Sequence, residues 1–216
     1  MARVRISNIE LIKKLADFRK SYFTVADLEK VLDLSRDSLY VTLNRLVKSG
    51  ILIRQAKNVY SLFTSPFEVE KIASELYFPA YLSFEYALSY YSVLFQVPYT
   101  VTLATSRPTK KMTIGGVAVE FSHLKDELFF GYTLKQGKYI AEKEKALLDQ
   151  LYMVSMGKRS IDIEELDFRD IDKRKLEEYA RKFPAQIKPL LRATKEYLGT
   201  TPITLEGAER VHWKSK

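Results

Sequence analysis

Residues 35–62, SRDSLYVTLNRLVKSGILIRQAKNVYSL, pass from a helical to a strand-like pattern at Gly50. Ser35 is a favourable N-cap, and leucines recur on one face of the residues that follow. This pattern predicts a helix from about Arg36 to Lys48. Gly50 stands just past its end, where glycine commonly terminates a helix. Two β-rich runs joined by a short polar stretch come next, so the sequence predicts a helix that leads into a β-hairpin.

Two more helices are predicted before this one. Ser7 and Thr24 each have an acidic residue three positions later, which is the spacing of a capping box. We expect the first helix from about Asn8 to Arg19 and the second to begin at Thr24. The resulting order of helix, helix, short turn, helix and hairpin is that of a winged helix-turn-helix.

The junction between the third helix and the hairpin supports this interpretation. Residues 43–52, LNRLVKSGIL, closely resemble the segment that joins the third helix to the wing in bacterial and archaeal winged-helix regulators. We therefore assign residues 1–64 to a winged-helix domain. Many such domains bind DNA, although some bind only proteins.

The face of the predicted third helix opposite its leucines carries short hydrogen-bonding groups and cations. A helix that reads the major groove needs short side chains for close approach and cations for phosphates and guanine edges. The predicted DNA contacts on this helix are Arg36, Ser38, Tyr40, Val41, Thr42, Arg45 and Lys48. In the hairpin, Arg54 and Lys57 are predicted to contact phosphates or the adjacent minor groove. Taken alone, such a face is more often a solvated surface, and the order of the elements is what favours DNA.

The positive charge is concentrated in the same part of the chain. The net charge is +8, and of the 35 basic and 27 acidic residues, 12 basic and 6 acidic ones lie in residues 1–64. The remaining residues therefore hold 23 basic and 21 acidic groups. A concentrated positive field raises the local affinity for polyphosphate, so nucleic-acid binding and a solvated basic surface are the two interpretations of this excess.

Composition disfavours several other classes of protein. The chain has no cysteine, so we expect neither disulfides nor thiolate metal sites. It has no apolar run of transmembrane length and no apolar signal core near residue 1, so we expect a cytoplasmic protein without membrane association. His123 and His212 lack acidic neighbours at ligand spacing, and no phosphate-binding or nucleophile motif is found. We therefore expect no metal, cofactor or catalytic residue.

Residues 65–216 are predicted to form a mixed α+β domain with a small sheet and C-terminal helices, so the fold class of the chain is α+β. Strands are expected at 99–104, 116–122, 128–133 and 138–140, a polar connector at 105–113, and helices at about 67–78, 83–94, 142–156, 162–167, 172–182 and 185–198. Tyr86, Tyr90 and Tyr91 are interpreted as core residues with hydroxyls at the rim rather than as a ligand cage.

This larger region contains a set of ordered motifs. They are YLSFEYAL at 81–88, VTLAT at 101–105, GVAVEF at 116–121, ELFFG at 127–131 and IAEKEKALLDQLY at 140–152. In this order they resemble the motifs of AbiEi-type antitoxins, the DNA-binding members of type IV toxin–antitoxin pairs. The family usually has a proline where Lys143 stands, in a first helical turn that tolerates either residue. The resemblance covers about residues 5–155.

The resemblance implies an autorepressor that binds inverted repeats in its own promoter. It also implies that the second domain neutralises a toxin resembling nucleotidyltransferases, without requiring a stable complex with that toxin. Glu144, Lys145 and Asp149 lie in the matching motif and are its candidate functional residues. They also have a structural interpretation, since Glu144 suits a helix N-terminus and the other two have the spacing of a helical ion pair. Inverted repeats favour a homodimer, although single chains could each occupy one half-site.

Two other functions fit the sequence less well. The chain could be a winged-helix regulator whose larger domain binds a small effector, and an apolar cavity lined by Tyr86, Tyr90 and Tyr91 would favour this alternative. It could also be an enzyme fused to a winged helix, which would require a convergent cluster of acids in a cleft.

Overall fold

The computed structural model describes residues 7–18 and 20–198. The chain divides into two compact units. The first is Met1–Phe78 with Lys111–Val119, and the second is Pro79–Lys110 with Glu120–Lys216. This division by packing groups residues 65–78 and 111–119 with the N-terminal elements. The domain boundary after residue 64 stays a prediction.

The first unit is built from helices packed on a small antiparallel sheet. Its elements before residue 79 are α1 (Asn8–Asp17), β1 (Phe23–Thr24), α2 (Val25–Leu32), α3 (Arg36–Lys48), β2 (Leu52–Ala56), β3 (Val59–Leu62) and α4 (Val69–Leu76). The sheet order is β1-β3-β2, in which β2 and β3 form the predicted hairpin. The short strand β1 was not predicted, because two residues carry too little pattern to signal a strand and the pairing with β3 creates it.

Buried aliphatic side chains hold this unit together. Leu39, Leu43 and Leu46 are nearly fully buried on the inner face of α3, as the helical spacing predicts. They pack with apolar side chains from the other helices and the sheet, including Leu11, Leu15, Phe23, Leu28, Leu52 and Leu62. Replacing one such buried leucine by alanine typically costs about 2–5 kcal/mol, so this cluster determines whether the unit folds.

The observed helix caps match the predicted caps only in part. Thr24 and Asp27 form a complete capping box at α2, whereas at α1 the Ser7 hydroxyl accepts the Glu10 N–H at 3.2 Å and, within the described residues, the Glu10 side chain does not return the bond. Ser35 has the extended backbone of an N-cap, but its side chain caps no backbone N–H and instead bonds to Ser38 Oγ at 3.0 Å. The predicted cap at Ser35 is therefore wrong in its side chain, although α3 has the predicted bounds.

The rest of the chain combines a sheet with helices. Its elements are β4 (Ala80–Leu82), α5 (Phe84–Tyr90), β5 (Thr100–Thr105), β6 (Lys110–Ile114), β7 (Val117–His123), β8 (Tyr132–Lys135), β9 (Lys138–Ala141), α6 (Lys143–Ser155), α7 (Lys173–Ala180) and α8 (Lys188–Glu196). The six-stranded sheet has the order β6-β7-β5-β4-β9-β8. Strand β4 pairs antiparallel with β5 and parallel with β9. The predicted fold class is confirmed: the chain is α+β, with a winged helix-turn-helix followed by a mixed region with a sheet and C-terminal helices.

Several predicted elements of the larger region are corrected. The expected strand at 128–133 is a 3-10 turn at Asp126–Leu128 followed by β8, and the expected connector at 105–113 contains most of β6. The expected helices at 162–167 and 83–94 are a 3-10 turn and the shorter α5, and the first turn of the last predicted helix is also 3-10. Strand β4 was missed, because its three residues become a strand only by pairing on both sides.

Helix α6 is buried over most of its length. Its residues from Glu144 to Met153 are all buried. The expected helix end at Gly199 and the second histidine, His212, lie outside the described residues. Among the residues that the structure describes, no helix is long and apolar enough to cross a membrane.

Candidate nucleic-acid interface

The outward face of α3 presents most of the predicted DNA contacts. Val41 lies near its centre with 72% of its surface exposed, opposite the buried leucines. The other exposed members of the predicted set are Arg36, Tyr40, Arg45 and Lys48. An exposed helix with one small apolar group at its centre and cations around it can approach a groove closely.

The two predicted hydroxyl contacts are less available. Thr42 donates its hydroxyl hydrogen to the Ser38 carbonyl oxygen at 2.9 Å, a local bond one turn back along α3. Ser38 is half-buried, and its hydroxyl bonds to Ser35. Both side chains therefore satisfy much of their hydrogen-bonding capacity inside the helix.

Two exposed residues of α3 were not among the predicted contacts. Asn44 is exposed between the cations, and an amide side chain can donate to and accept from adenine in the major groove. Asp37 is exposed in the first turn, where the helix dipole favours a carboxylate. Asp37 stands four residues before Val41, and Asn44 stands four residues before Lys48. This helical spacing places both on the face of the predicted contacts and is the signal that would have found them.

The wing of this chain is the hairpin of β2 and β3, and it carries two of the predicted contacts. Arg54 and Lys57 are both exposed. Between them, the register of β2 against β3 shifts, so that Gln55 is the extra residue of a β-bulge. Gln55 turns inward and donates to Ser61 Oγ at 2.8 Å. Asn58 has a φ of 63°, the left-handed conformation that a tight turn requires and that asparagine tolerates.

The cations of α3 and the wing share one electrostatic property. Within residues 7–18 and 20–198, none of Arg36, Arg45, Lys48, Arg54 and Lys57 forms an ion pair with a carboxylate. By contrast, Lys20 pairs with Asp27 at 3.2 Å, and Lys14 donates to the Val31 carbonyl oxygen at 2.8 Å. The unpaired cations can meet phosphates without first breaking an internal bond.

The second set of candidate residues, Glu144, Lys145 and Asp149, lies in a different setting. All three are on α6 and are buried, and the side chains of Lys145 and Asp149 have no exposed surface. Lys145 Nζ forms an ion pair with Asp149 Oδ1 and a hydrogen bond with the Tyr81 hydroxyl at 3.0 Å. The rings of Phe130 and Phe183 surround the ammonium group at 5.0 and 5.2 Å.

Further bonds complete this buried cluster. The hydroxyls of Tyr81 and Ser83 donate to Asp149 Oδ2 at 3.0 and 2.8 Å. Burial lowers the pKa of Lys145 and raises that of Asp149, while the attraction between the two charges acts against both shifts. The pKa of the Tyr81 hydroxyl lies well above its ordinary value, because of burial and the neighbouring Asp149 carboxylate. The pair therefore links α6 to the end of β4 and the start of α5.

Glu144 also acts inside the fold. Its carboxylate accepts the Asp172 backbone N–H at 3.0 Å, just before α7 begins. Asp172 in turn accepts the N–H groups of Arg174 and Lys175. The arrangement fixes the entry of the chain into α7. In this structure none of the three motif residues of α6 is exposed to a partner.

A second polar cluster was not predicted. Arg159 is 8% exposed at its side chain and forms ion pairs with Glu85 and, at 2.8 Å, with Glu120. It also donates to Ser122 Oγ at 3.0 Å and stacks over the Phe84 ring at 4.4 Å. The acids stand in the motifs at 81–88 and 116–121, but nothing in the sequence around Arg159 shows that it pairs with them.

Two tyrosines of α5 line a small pocket. A pocket of about 30 Å³ is lined by Tyr86 and Tyr90 together with Lys135 and Lys138, and Tyr91 is not part of its wall. Sites for small molecules usually measure about 300–1,000 Å³, so this pocket has room for water only. In the described part of the chain, no three His, Cys, Asp or Glu residues are grouped so as to hold a metal ion.

Comparison with known proteins bears on the first unit. No curated protein matches the chain. Residues 10–62 match a family model described as "Transcriptional regulator, AbiEi antitoxin". The matched segment runs from α1 to the end of β3, and so contains α3 and the wing. The resemblance to AbiEi-type antitoxins is thus confirmed over residues 10–62, and this part of the chain is similar to the transcriptional regulators of that family.

Proposed function

We propose that the chain is a DNA-binding transcriptional repressor that places α3 in the major groove and the wing on the flanking backbone. The observation that carries the proposal is a set of exposed cations on α3 and the hairpin that form no ion pair within the described part of the chain: Arg36, Arg45, Lys48, Arg54 and Lys57. The family match of residues 10–62 to transcriptional regulators supports the same use.

The side chains divide into two roles under this proposal. Arg45 and Asn44 contact base edges, and Val41 contacts a thymine methyl group, since these residues occupy the exposed face of α3. Arg54 and Lys57 contact phosphates or the adjacent minor groove. The first group contributes sequence preference and the second contributes affinity that depends on salt.

The biological role that we propose is autorepression within a type IV toxin–antitoxin pair. The operator consists of inverted repeats in the chain's own promoter, read by a homodimer or by one chain at each repeat. The larger region neutralises a toxin resembling nucleotidyltransferases in this proposal. Support comes from the ordered motifs between residues 81 and 152 and from the family match of the first unit. Because Glu144, Lys145 and Asp149 are buried, we assign them to holding the second unit in shape rather than to touching the toxin.

The decisive experiment is a gel-shift titration of the chain against the DNA upstream of its own gene, with scrambled DNA as competitor, at two salt concentrations. We expect preference for the upstream DNA to persist at the higher salt, because base contacts do not depend on counter-ion release. Equal and strongly salt-sensitive binding to both DNAs would contradict sequence-specific repression.

The matched variants are Arg45→Ala on α3 and Arg192→Ala on α8, which both remove an exposed arginine from a helix. Loss of one base-reading arginine costs about 1–3 kcal/mol of binding free energy, so Arg45→Ala should bind the upstream DNA about 5- to 150-fold more weakly. Arg192→Ala should bind like the unmodified chain. If both variants bind equally well, α3 is not the reading helix.

The antitoxin role is tested separately, by co-expressing the chain with the product of the adjacent gene. Rescue of growth by the full chain and by Arg45→Ala would show that neutralisation does not require operator binding. Failure of the full chain to rescue growth from a toxic neighbouring product would contradict the antitoxin role while leaving repression intact.

A further inference from the structure

The turn between β6 and β7 belongs to the first compact unit. It consists of Gly115 and Gly116, whose φ angles are +56° and +85°. Two successive left-handed residues make the tight two-residue turn typical of β-hairpins. Glycine adopts this backbone without strain, but the surroundings of the two residues differ.

Gly115 contacts the wing directly. Its N–H donates to the Gln55 carbonyl oxygen at 2.7 Å. Strand β2 lies at the edge of the wing sheet, and Gln55 is the bulged residue that β3 leaves without a register partner. An unpaired backbone carbonyl on an edge strand is free to move unless another group satisfies it. The Gly115 N–H satisfies the Gln55 carbonyl oxygen, and Gln55 lies in the chain between the exposed Arg54 and Lys57.

The approach is close because Gly115 has no side chain. A Cβ atom at residue 115 would stand 2.0 Å from Phe67 Cζ, far inside van der Waals contact. A Cβ atom at Gly116 would meet no atom within 4 Å. The two glycines thus share the same unusual backbone, whereas only Gly115 is held against neighbouring groups.

We propose that Gly115 is a positioning residue for DNA binding: its contacts with Gln55 and Phe67 fix the bulge that aims the wing cations Arg54 and Lys57. This inference rests on the proposed DNA-binding function. The turn at Gly115 is distant in sequence from the wing, yet it holds the wing in the orientation that contacts phosphates.

The test compares Gly115→Ala with Gly116→Ala in the full chain. Both variants place a side chain on a residue with positive φ, so they are matched for backbone strain. Affinity for the upstream DNA is measured over a series of salt concentrations. For Gly115→Ala we expect a weaker complex and a salt slope smaller by roughly one to two, because each displaced wing cation removes one phosphate contact. Gly116→Ala should keep the slope of the unmodified chain.

Amide hydrogen exchange without DNA provides a second, independent readout. Gly115→Ala should accelerate exchange in the hairpin from Leu52 to Leu62, and Gly116→Ala should not. Adding Phe67→Ala to Gly115→Ala removes the clash and should return both the exchange and the slope toward their original values. Faster exchange of Gly115→Ala throughout the described residues, rather than in the hairpin alone, would indicate a general loss of stability and would overturn the positioning role.

The outcomes separate the two proposals. If the unmodified chain binds no DNA, the proposed function fails, while hydrogen exchange still decides whether Gly115 holds the wing. If the unmodified chain binds DNA and Gly115→Ala matches Gly116→Ala in slope and in exchange, the positioning role is overturned.

Discussion

The ammonium group of Lys145 and the carboxylate of Asp149 form an ion pair with no exposed surface on either side chain. Removing two charges from water is costly, and the mutual attraction compensates only when the remaining hydrogen bonds are satisfied. Here the hydroxyls of Tyr81 and Ser83 satisfy the second carboxylate oxygen. The pair is therefore tied to a particular arrangement of β4, α5 and α6.

Removing one member of this pair should destabilise the chain more than removing both. Lys145→Met leaves the Asp149 charge buried without its counter-ion, so we expect the free energy of unfolding to fall by about 3–5 kcal/mol. The double variant Lys145→Met/Asp149→Leu should recover part of the loss, because it removes the unpaired charge but leaves the hydroxyls of Tyr81 and Ser83 without their acceptor. Urea titration followed by circular dichroism measures both. Lys143→Met, on the same helix but partly exposed, is the matched control, and an equal loss in that variant would contradict the role of the pair.

Acid should weaken the cap of α2. Burial alone would raise the pKa of Asp27, but hydrogen bonds from Thr24 and Lys20 outweigh it and hold that pKa below its usual value. A carboxylate whose pKa is lower in the folded chain contributes stability above its unfolded pKa, and this contribution is lost as the pH falls through the folded pKa. Asp27→Asn should therefore cost about 1 kcal/mol at neutral pH, the usual value of a cap, and progressively less below pH ~4.

The measurement for this prediction is the difference in unfolding free energy between Asp27→Asn and the original chain at several pH values. Asp33→Asn supplies the control, since Asp33 is an exposed carboxylate at the other end of α2. A difference that stays constant from neutral to acid pH would show that the Asp27 charge does not stabilise the cap.

Lys57 should contribute affinity without sequence preference. Lys57→Ala is expected to weaken binding to upstream and scrambled DNA by the same factor and to lower the salt slope by roughly one, as for loss of one phosphate contact. Fluorescence anisotropy with both DNAs at four salt concentrations measures this. Lys188→Ala, an exposed lysine on α8, is the control. A change in sequence preference with an unaltered slope would place Lys57 on a base instead.

Arg159 should not be replaceable by lysine. Its guanidinium contacts Glu85, Glu120 and Ser122, and an ammonium group cannot present several donors in the same planar arrangement. We expect Arg159→Lys to lower the free energy of unfolding by about 1–3 kcal/mol, because buried acceptors lose their partners. Arg192→Lys, at an exposed position, should change it by less than about 0.5 kcal/mol. Equal thermal midpoints for the two variants would show that the geometry of Arg159 is unimportant.

The three helices α1 to α3 and the hairpin of β2 and β3 were predictable because their signals are local. The bounds of α3 follow from the spacing of Leu39, Leu43 and Leu46 and from Gly50, all within one segment. Strands β1 and β4 were not predictable, because two or three residues carry no periodic pattern and become strands by pairing with distant segments.

Some features of the candidate sites were likewise predictable from local sequence, and others depend on tertiary contacts. The exposure of Arg36, Arg45 and Lys48 follows from helical geometry alone. The spacing of Lys145 and Asp149 predicts an ion pair, but its burial depends on Tyr81 and Ser83, which lie 68 and 66 residues away from Asp149. The contact between Gly115 and Gln55 is likewise a tertiary one that no local pattern encodes.

The exposed carboxylate of Asp37 has a consequence for how the chain would search DNA. On a face of cations, one negative charge repels the phosphate backbone wherever no base donor meets it. Cytosine offers such a donor in the major groove. Random DNA would therefore hold the chain more loosely than its net charge suggests. The chain would slide and dissociate quickly, and would dwell where the sequence turns this repulsion into a hydrogen bond.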